Sequence, residues 1–422
     1  MKILKVLTAV FAMAVGITSV PAAASSAEYK VKLDQDHFPD AGFRKYISSN
    51  FDKDKDGSLD SKEISNIDVI YLTGSEVKDV RGIEYLSSLT HLFIYKSEII
   101  NVDVTRNPGL EKLTVRSNKI KSLDLSKNKK LTELDVYGSE SLASLDISLC
   151  PKIKKFWFSA GLLKNLTLVS GQSFESTPYG GDPNPTWESS DAAVAKPRDD
   201  AAPNSFGKPG SKLFLKAKKA GTAVITEKWS WGNRTVNVRV LYKDVTDRSK
   251  FWFDPVYAMS DKDIIQGYDK GTRFRPGYQC TRAQMVTFLW RLEGCPKMKK
   301  AKNKFSDVKK SDYFYDAVLW GTGKKIVEGY SDGTFKPQRM CARRHAVTFL
   351  WKLAGKPEPK STVNRFKDIK TGDFYYKAAL WATENGIVAG YDDGTFRPNG
   401  ICLRRQLATF LYKFDRNIRG NS

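Results

Sequence analysis

From Tyr242 onward the chain states one pattern three times, and this limits its fold more than any other feature. The copies run over 242–294, 304–355 and 365–416. Each opens with an aromatic residue, a polar or charged residue, Asp and an aliphatic: Tyr242–Val245, Phe305–Val308 and Phe366–Ile369. An aromatic-rich helical stretch follows, then a glycine turn that begins at Gly267, Gly329 or Gly390. Each copy ends in Cys-x-Arg leading an apolar helix, with Cys280, Cys341 and Cys402 spaced 61 residues apart. A period this regular means one small unit copied, with neighbours burying what a single copy cannot.

Three motifs recurring in a fixed order make this segment resemble S-layer homology (SLH) repeats, over about 40% of the chain. The resemblance implies a mainly α, pseudo-threefold assembly of three repeats. It also implies grooves between repeats that hold an anionic secondary cell-wall polymer. Arg282, Arg343 and Arg404 stand at the start of the second helix of each copy. A helix N-terminus presents free N–H groups to an anion, and a guanidinium adds a bidentate fork for carboxylate or phosphate. Gly267, Gly329 and Gly390 would let backbone approach the sugar; with Gln284 and the three arginines they form the candidate polymer-binding set. Aromatic pairs recur in the first helix at Phe251–Trp252, Tyr313–Phe314 and Phe374–Tyr375, and at least one ring of each pair is expected in the core. The family's Thr-Arg-Ala-Glu start is best kept in Thr281-Arg282-Ala283-Gln284. Ala342-Arg343-Arg344-His345 and Leu403-Arg404-Arg405-Gln406 lose the Thr cap, worth about 1 kcal/mol, so repeat one is expected to make the best-formed site.

The compartment is read from the first residues. Lys2 and Lys5 precede an apolar stretch over 6–20 and a small-residue run, Pro21-Ala-Ala-Ala24. This is the layout of a secretory signal peptide over 1–24, and the remainder is expected to be exported with no membrane span. Net charge is +22, and residues 242–422 carry 35 Lys+Arg against 19 Asp+Glu. A basic field concentrates anionic ligands. Export replaces nucleic acid with an anionic wall polymer as the expected partner. Of the five cysteines, three sit at one repeated position, which favours buried thiols over a disulfide framework.

Residues 25–66 hold a cap and a cation loop. Asp52, Asp54, Asp56, Ser58, Asp60 and Glu63 fall at positions 1, 3, 5, 7, 9 and 12 of an EF-hand template, with Gly57 at the turn. Ca2+ is the expected cofactor. A single copy favours a structural role over a sensor.

Residues 67–165 change pattern again. Leu92, Leu113, Leu134 and Phe156 recur every 21 or 22 residues, and Asn107, Asn128 and Cys150 share another column. The segment resembles leucine-rich repeats, whose solenoid would present a protein- or glycan-binding face. Trp157–Phe158 reads as a docking patch or as an apolar seal against the next module, and the seal is the expectation. Residues 166–241 are rich in turns and β-branched residues. With Trp187 in the core, they resemble a bacterial Ig-like domain of the second group, an all-β spacer; a polar loop over 197–212 is expected to be mobile.

His37, His91 and His345 lie in different modules, and no hydrolase or metalloprotease motif occurs. The expectation is a non-enzymatic multidomain surface protein on a wall polymer. The alternative is a coat component that assembles with its own copies.

Overall fold

The computed structural model describes residues 29–74, 76–116, 118–176, 186–198, 213–229, 232–298, 302–361 and 363–421. The signal-peptide reading, and positions 199–212 of the polar loop, lie outside the described residues.

The N-terminal cap comprises β1 (Lys30–Lys32), α1 (Ala41–Phe51), β2 (Ser58–Asp60) and α2 (Ser61–Ser65). β1 and β2 pair antiparallel, with Val31 opposite Leu59. Asp40 starts α1 by accepting from the Phe43 N–H at 2.8 Å, and the helix buries Phe43 and Ile47. The Tyr46 hydroxyl accepts from the Tyr71 N–H at 3.2 Å, so the cap covers the edge strand that follows.

Next comes a parallel β-solenoid. β3 (Val69–Thr73), β4 (His91–Tyr95), β5 (Lys112–Arg116), β6 (Glu133–Asp135) and β8 (Lys155–Trp157) stack in register along one side. β7 (Ser144–Asp146) and β9 (Asn165–Val169) pair on the other. The periodic column is paired directly, Leu92 with Leu113, Leu113 with Leu134 and Leu134 with Phe156, all buried. Asn107 sits fully buried and donates to the carbonyls of Ile83 and Leu86; Asn128 donates to those of Val104 and Asn107. Amide donors here satisfy turn carbonyls that burial would leave orphaned. Cys150 takes the next place, with its Sγ 3.3 Å from the Leu125 carbonyl. The column then runs on to Gln172, which donates to Ile147 and Cys150 carbonyls, a member the sequence reading missed.

The following β module has no linker before it. Its strands are β10 (Ser173–Ser176), β11 (Thr186–Ser189), β12 (Ala195–Arg198), β13 (Leu213–Ala217), β14 (Gly221–Trp229) and β15 (Gly232–Leu241). β10 pairs parallel with β8, extending the solenoid into one 8-stranded sheet. β15 pairs parallel with β9, joining the other side into a 5-stranded sheet. One buried core therefore runs from Val31 to Val240, with Trp187 in it. The expected boundary at 166 is a weld between sheets. Of the expected seal, Phe158 packs 4.9 Å from Phe156 and edge-on to Phe174, whereas Trp157 stays part-exposed on the sheet face.

A second core begins at Leu241. It is built by α3 (Phe253–Asp261), α4 (Arg282–Leu292), α5 (Tyr315–Gly323), α6 (Arg343–Leu353), α7 (Tyr376–Glu384) and α8 (Arg404–Arg419). Second helices pack on the first helix of the next repeat: α4 on α5, α6 on α7, and α8 back on α3, closing a ring. Among the described residues, no helix is long and apolar enough to cross a membrane.

Candidate functional site

The three-repeat ring is organised about a backbone triangle. Cys341 N–H donates to the Cys280 carbonyl at 2.8 Å, Cys402 to Cys341 at 2.9 Å, and Cys280 to Cys402 at 3.0 Å. All three thiols are buried and free, and burial pushes those of Cys280 and Cys402 up to about 12. The repeated cysteine is a small residue at a crowded pseudo-threefold axis, as its single column implied.

The opening Asp of each repeat has a defined task. The Asp244 carboxylate accepts from Phe274 and Arg275 N–H groups at 2.8 Å. Asp307 does the same for Phe335 and Lys336, and Asp368 for Phe396 and Arg397. This ties the start of the repeat to the end of its glycine turn. The turn glycines belong to the same joint. A Cβ on Gly329 would fall 2.1 Å from the Phe305 ring, and equivalents on Gly267 and Gly390 would meet Tyr242 and Phe366 at 2.5 and 2.3 Å. These glycines are set by close packing inside the repeat, which corrects the expectation that they open backbone to a sugar.

The arginines depart further from expectation. Arg282, Arg343 and Arg404 are 4%, 4% and 2% exposed. Arg282 donates through Nε to the Phe335 carbonyl and through Nη2 to that of Glu328, both in the next repeat. Arg343 takes Phe396 and Ala389 in the same way, and Arg404 takes Phe274 and Gln266, closing repeat three on repeat one. Each guanidinium also lies over rings of its neighbour, three for Arg282 and Arg343 and two for Arg404, Tyr268 at 4.5 Å and Phe274 at 4.6 Å. Burial lowers the pKa of all three, yet a guanidinium keeps its charge. The helix starts are equally engaged. Arg282 and Ala283 N–H groups donate to Arg339 and Pro337 carbonyls, and Arg404 and Arg405 to Tyr278 and Pro276. The forks and N–H groups assigned to an anion are thus committed to carbonyls of the adjacent repeat. A buried cation with carbonyl acceptors and rings around it has no further need of an anion.

The cap differences are as the sequence has them. Thr281 and Gln284 form a reciprocal capping box, while α6 has no side-chain cap at Ala342. Gln406 still accepts from the Leu403 N–H at 2.9 Å. Gln284 also donates to the Tyr268 hydroxyl at 2.9 Å.

What faces solvent at the seams is aromatic. Phe251, Tyr313 and Phe374 are 70%, 61% and 63% exposed, while their partners Phe314 and Tyr375 are buried and Trp252 is part-buried. Phe374 of repeat three stacks over His345 of repeat two, 6.1 Å away at 25°. His345 is held down to about 4 by burial and by the charges of Arg282, Arg344 and Arg339. Part-buried Arg344 and Arg405 flank these seams.

Of the six residues expected to hold a cation, the loop brings three acidic groups together, while Asp56 pairs with Lys30 and Asp60 caps α2. Ligand oxygens of Asp52, Asp54 and Glu63 lie within 4.8 Å of one another. Asp52 is 6% exposed, and its Oδ1 has no hydrogen-bond partner while Oδ2 accepts from Gly57. A buried carboxylate oxygen without a donor fits a hard cation. Glu63 holds the Lys53 and Asp60 N–H groups, and Asp56 pairs with Lys30 at 2.6 Å. Gly57 adopts φ 81°, as the turn requires.

Comparison with known proteins agrees with the ring. The model of the S-layer homology domain family matches residues 241–286, 304–346 and 365–408. The chain is 36% identical over 99 residues to a cellulosome-anchoring protein of Acetivibrio thermocellus, covering 22% of each. It is 32% identical over 95 residues to the middle cell wall protein of Brevibacillus brevis, covering 22% of this chain and 9% of that one. The chain thus spans under a quarter of these relatives. Among solved structures, an internalin of Listeria monocytogenes is similar over 36% of this chain and 55% of its own, at 18% identity and a TM-score of 0.27. The C-terminal region therefore consists of three S-layer homology domains, and the chain is a cell-surface, cell-wall-associated protein.

Proposed function

We propose that the ring of S-layer homology domains anchors this chain non-covalently to an anionic secondary cell-wall polymer, with the solenoid displayed outward as a binding module. The observation that carries this is the set of exposed rings Phe251, Tyr313 and Phe374, one per repeat, in a ring whose repeated arginines are already engaged by neighbouring carbonyls. The polymer would stack on these rings and meet Gln284, Arg344 and Arg405 at the seams, with the arginine clasps holding the grooves in shape. The excess of Lys and Arg over 242–422 supplies long-range attraction. The test is cosedimentation with polymer-bearing wall fragments. Each ring-to-Ala change should weaken retention by up to about tenfold, from ~1 kcal/mol per aromatic contact. Phe251→Ala/Tyr313→Ala/Phe374→Ala should release the protein with its melting temperature unchanged. Full retention of the triple variant would overturn the assignment.

We further propose that the cap loop holds one Ca2+ on Asp52, Asp54, Asp56, Asp60 and Glu63, with the Ser58 carbonyl. The ion would fix the cap on the first solenoid turn. The β module is read as an Ig-like spacer, and the whole chain as a binding protein without catalytic activity. Its histidines support this, since His37 is tied to Asp34 and His345 is packed between rings.

A further inference from the structure

The solvent face of the solenoid sheet carries a second aromatic surface, far from the ring seams in sequence. Successive positions along each strand alternate between core and face. The outward positions of β3 and β4 are Val69, Tyr71 and Thr73, and His91, Phe93 and Tyr95. Tyr71 lies 5.4 Å from Tyr95 and 6.1 Å from Phe93, Phe93 stacks on Tyr95 at 10°, and His91 lies 6.1 Å from Phe93. Four rings therefore make one continuous patch, in which Tyr71 is 54% exposed. Arg116 prolongs it, 6.0 Å from the Tyr95 ring and 5.9 Å from Tyr137.

One register row crosses the five solenoid strands: Tyr71, Phe93, Thr114, Asp135 and Trp157, with Thr114 and Asp135 buried between the rings. It starts and ends on an aromatic ring, and it spans about 19 Å at the usual ~4.8 Å between strands. That is a track for an extended ligand. The charges beside it are matched on the face itself. Glu133 pairs with Lys112 and Lys155, and Arg116 pairs with Asp135. These five side chains sum to three positive and two negative charges, a net of +1 in a chain of +22, so the face holds little of the chain's basic excess. A charged ligand would lose its hydration here for a small electrostatic return. An uncharged ligand with flat apolar faces and a hydroxyl rim would lose little. Its C–H faces would stack on the rings, and its hydroxyls would bond to the part-exposed Lys112, Glu133 and Lys155.

We propose that this face binds an uncharged polysaccharide chain, laid across the strands from Tyr71 to Trp157. The inference deepens the reading of the solenoid as a displayed binding module and rests on it. The complementarity is an aromatic, nearly neutral face for a neutral polymer, in contrast to the basic ring that is proposed for an anionic one.

The test is affinity electrophoresis of the full exported chain. Gels would contain soluble neutral polysaccharides, namely hydroxyethylcellulose, galactomannan or dextran, or anionic polygalacturonate. At least one neutral polymer should retard the protein. Tyr71→Ala/Phe93→Ala and Trp157→Ala should each weaken that retardation by about tenfold or more. Both variants should still sediment with wall fragments, and circular dichroism should show the solenoid intact. Tyr313→Ala, at a ring seam, should leave retardation by neutral polymer unchanged, which keeps this site distinct from the anchor. Mobility unaltered by all three neutral polymers would overturn the proposal. So would retardation that survives Tyr71→Ala/Phe93→Ala, or retardation by polygalacturonate alone.

Discussion

Arg404→Ala separates two roles for the repeated arginine. The side chain is 2% exposed and donates two hydrogen bonds, to Phe274 and Gln266 carbonyls, across the seam that closes the ring. Removing it leaves two acceptors without their donor, at about 1–2 kcal/mol each. It also removes a guanidinium packed against Tyr268 and Phe274, about 1 kcal/mol. The sum is about 4 kcal/mol, or roughly 8–16 °C in melting temperature for a unit of this size. The assay is thermal unfolding of the full chain followed by near-ultraviolet circular dichroism, which reports the ring's packed aromatics. Arg404→Lys should recover only part of the loss, because an ammonium cannot reproduce the fork. A melting temperature within about 2 °C of the parent, combined with lost wall retention, would refute the clasp and return the arginine to the ligand.

Other perturbations bear on separate links. Gly329→Ala should destabilise the ring by about 1–3 kcal/mol through overpacking against Phe305, and Phe305→Leu in the same chain should restore part of it in a denaturant titration. At 10 mM Ca2+, against a Kd of about 0.1 mM typical of extracellular loops, the cap should gain about 2.7 kcal/mol. Hydrogen exchange over residues 30–65 should slow accordingly, and Asp52→Asn should abolish the gain. His345 is held below its ordinary value by burial, so the unfolded chain binds the extra proton between pH about 4 and 6.5. Ring stability should therefore rise with pH across that window and level off above it. In His345→Gln this part of the slope, measured by denaturant midpoint, should vanish.

Much of the fold is legible in the sequence wherever a residue's neighbours recur at a fixed period. Leu92, Leu113, Leu134 and Phe156 meet because parallel stacking places equivalent positions opposite each other. Cys280, Cys341 and Cys402 are equivalent by the repeat, and a small apolar residue at that position is what can meet its two copies at the axis. The loop from Asp52 to Glu63 is local, and local geometry follows from local spacing. The misreadings concern partners supplied across a seam, for the arginines, or by a distant ring of the same repeat, for the glycines. An arginine at a helix start has the same spacing whether its fork meets an anion or a neighbour's carbonyl. Only assembly shows that Phe335 and Glu328 carbonyls fill the place given to the ligand. Gly329 looks open in sequence because Phe305, the ring it accommodates, lies 24 positions earlier. Gln172 escaped notice because it continues the Asn column with a longer amide, past the point where the leucine pattern fades.

The central claim is that the ring recognises the secondary polymer and not peptidoglycan itself. Sedimentation of the exported chain with purified sacculi, before and after chemical removal of that polymer, tests this directly. Retention on intact sacculi that disappears with the polymer is the expected result. Undiminished binding to bare peptidoglycan, or no binding to either preparation, would contradict it.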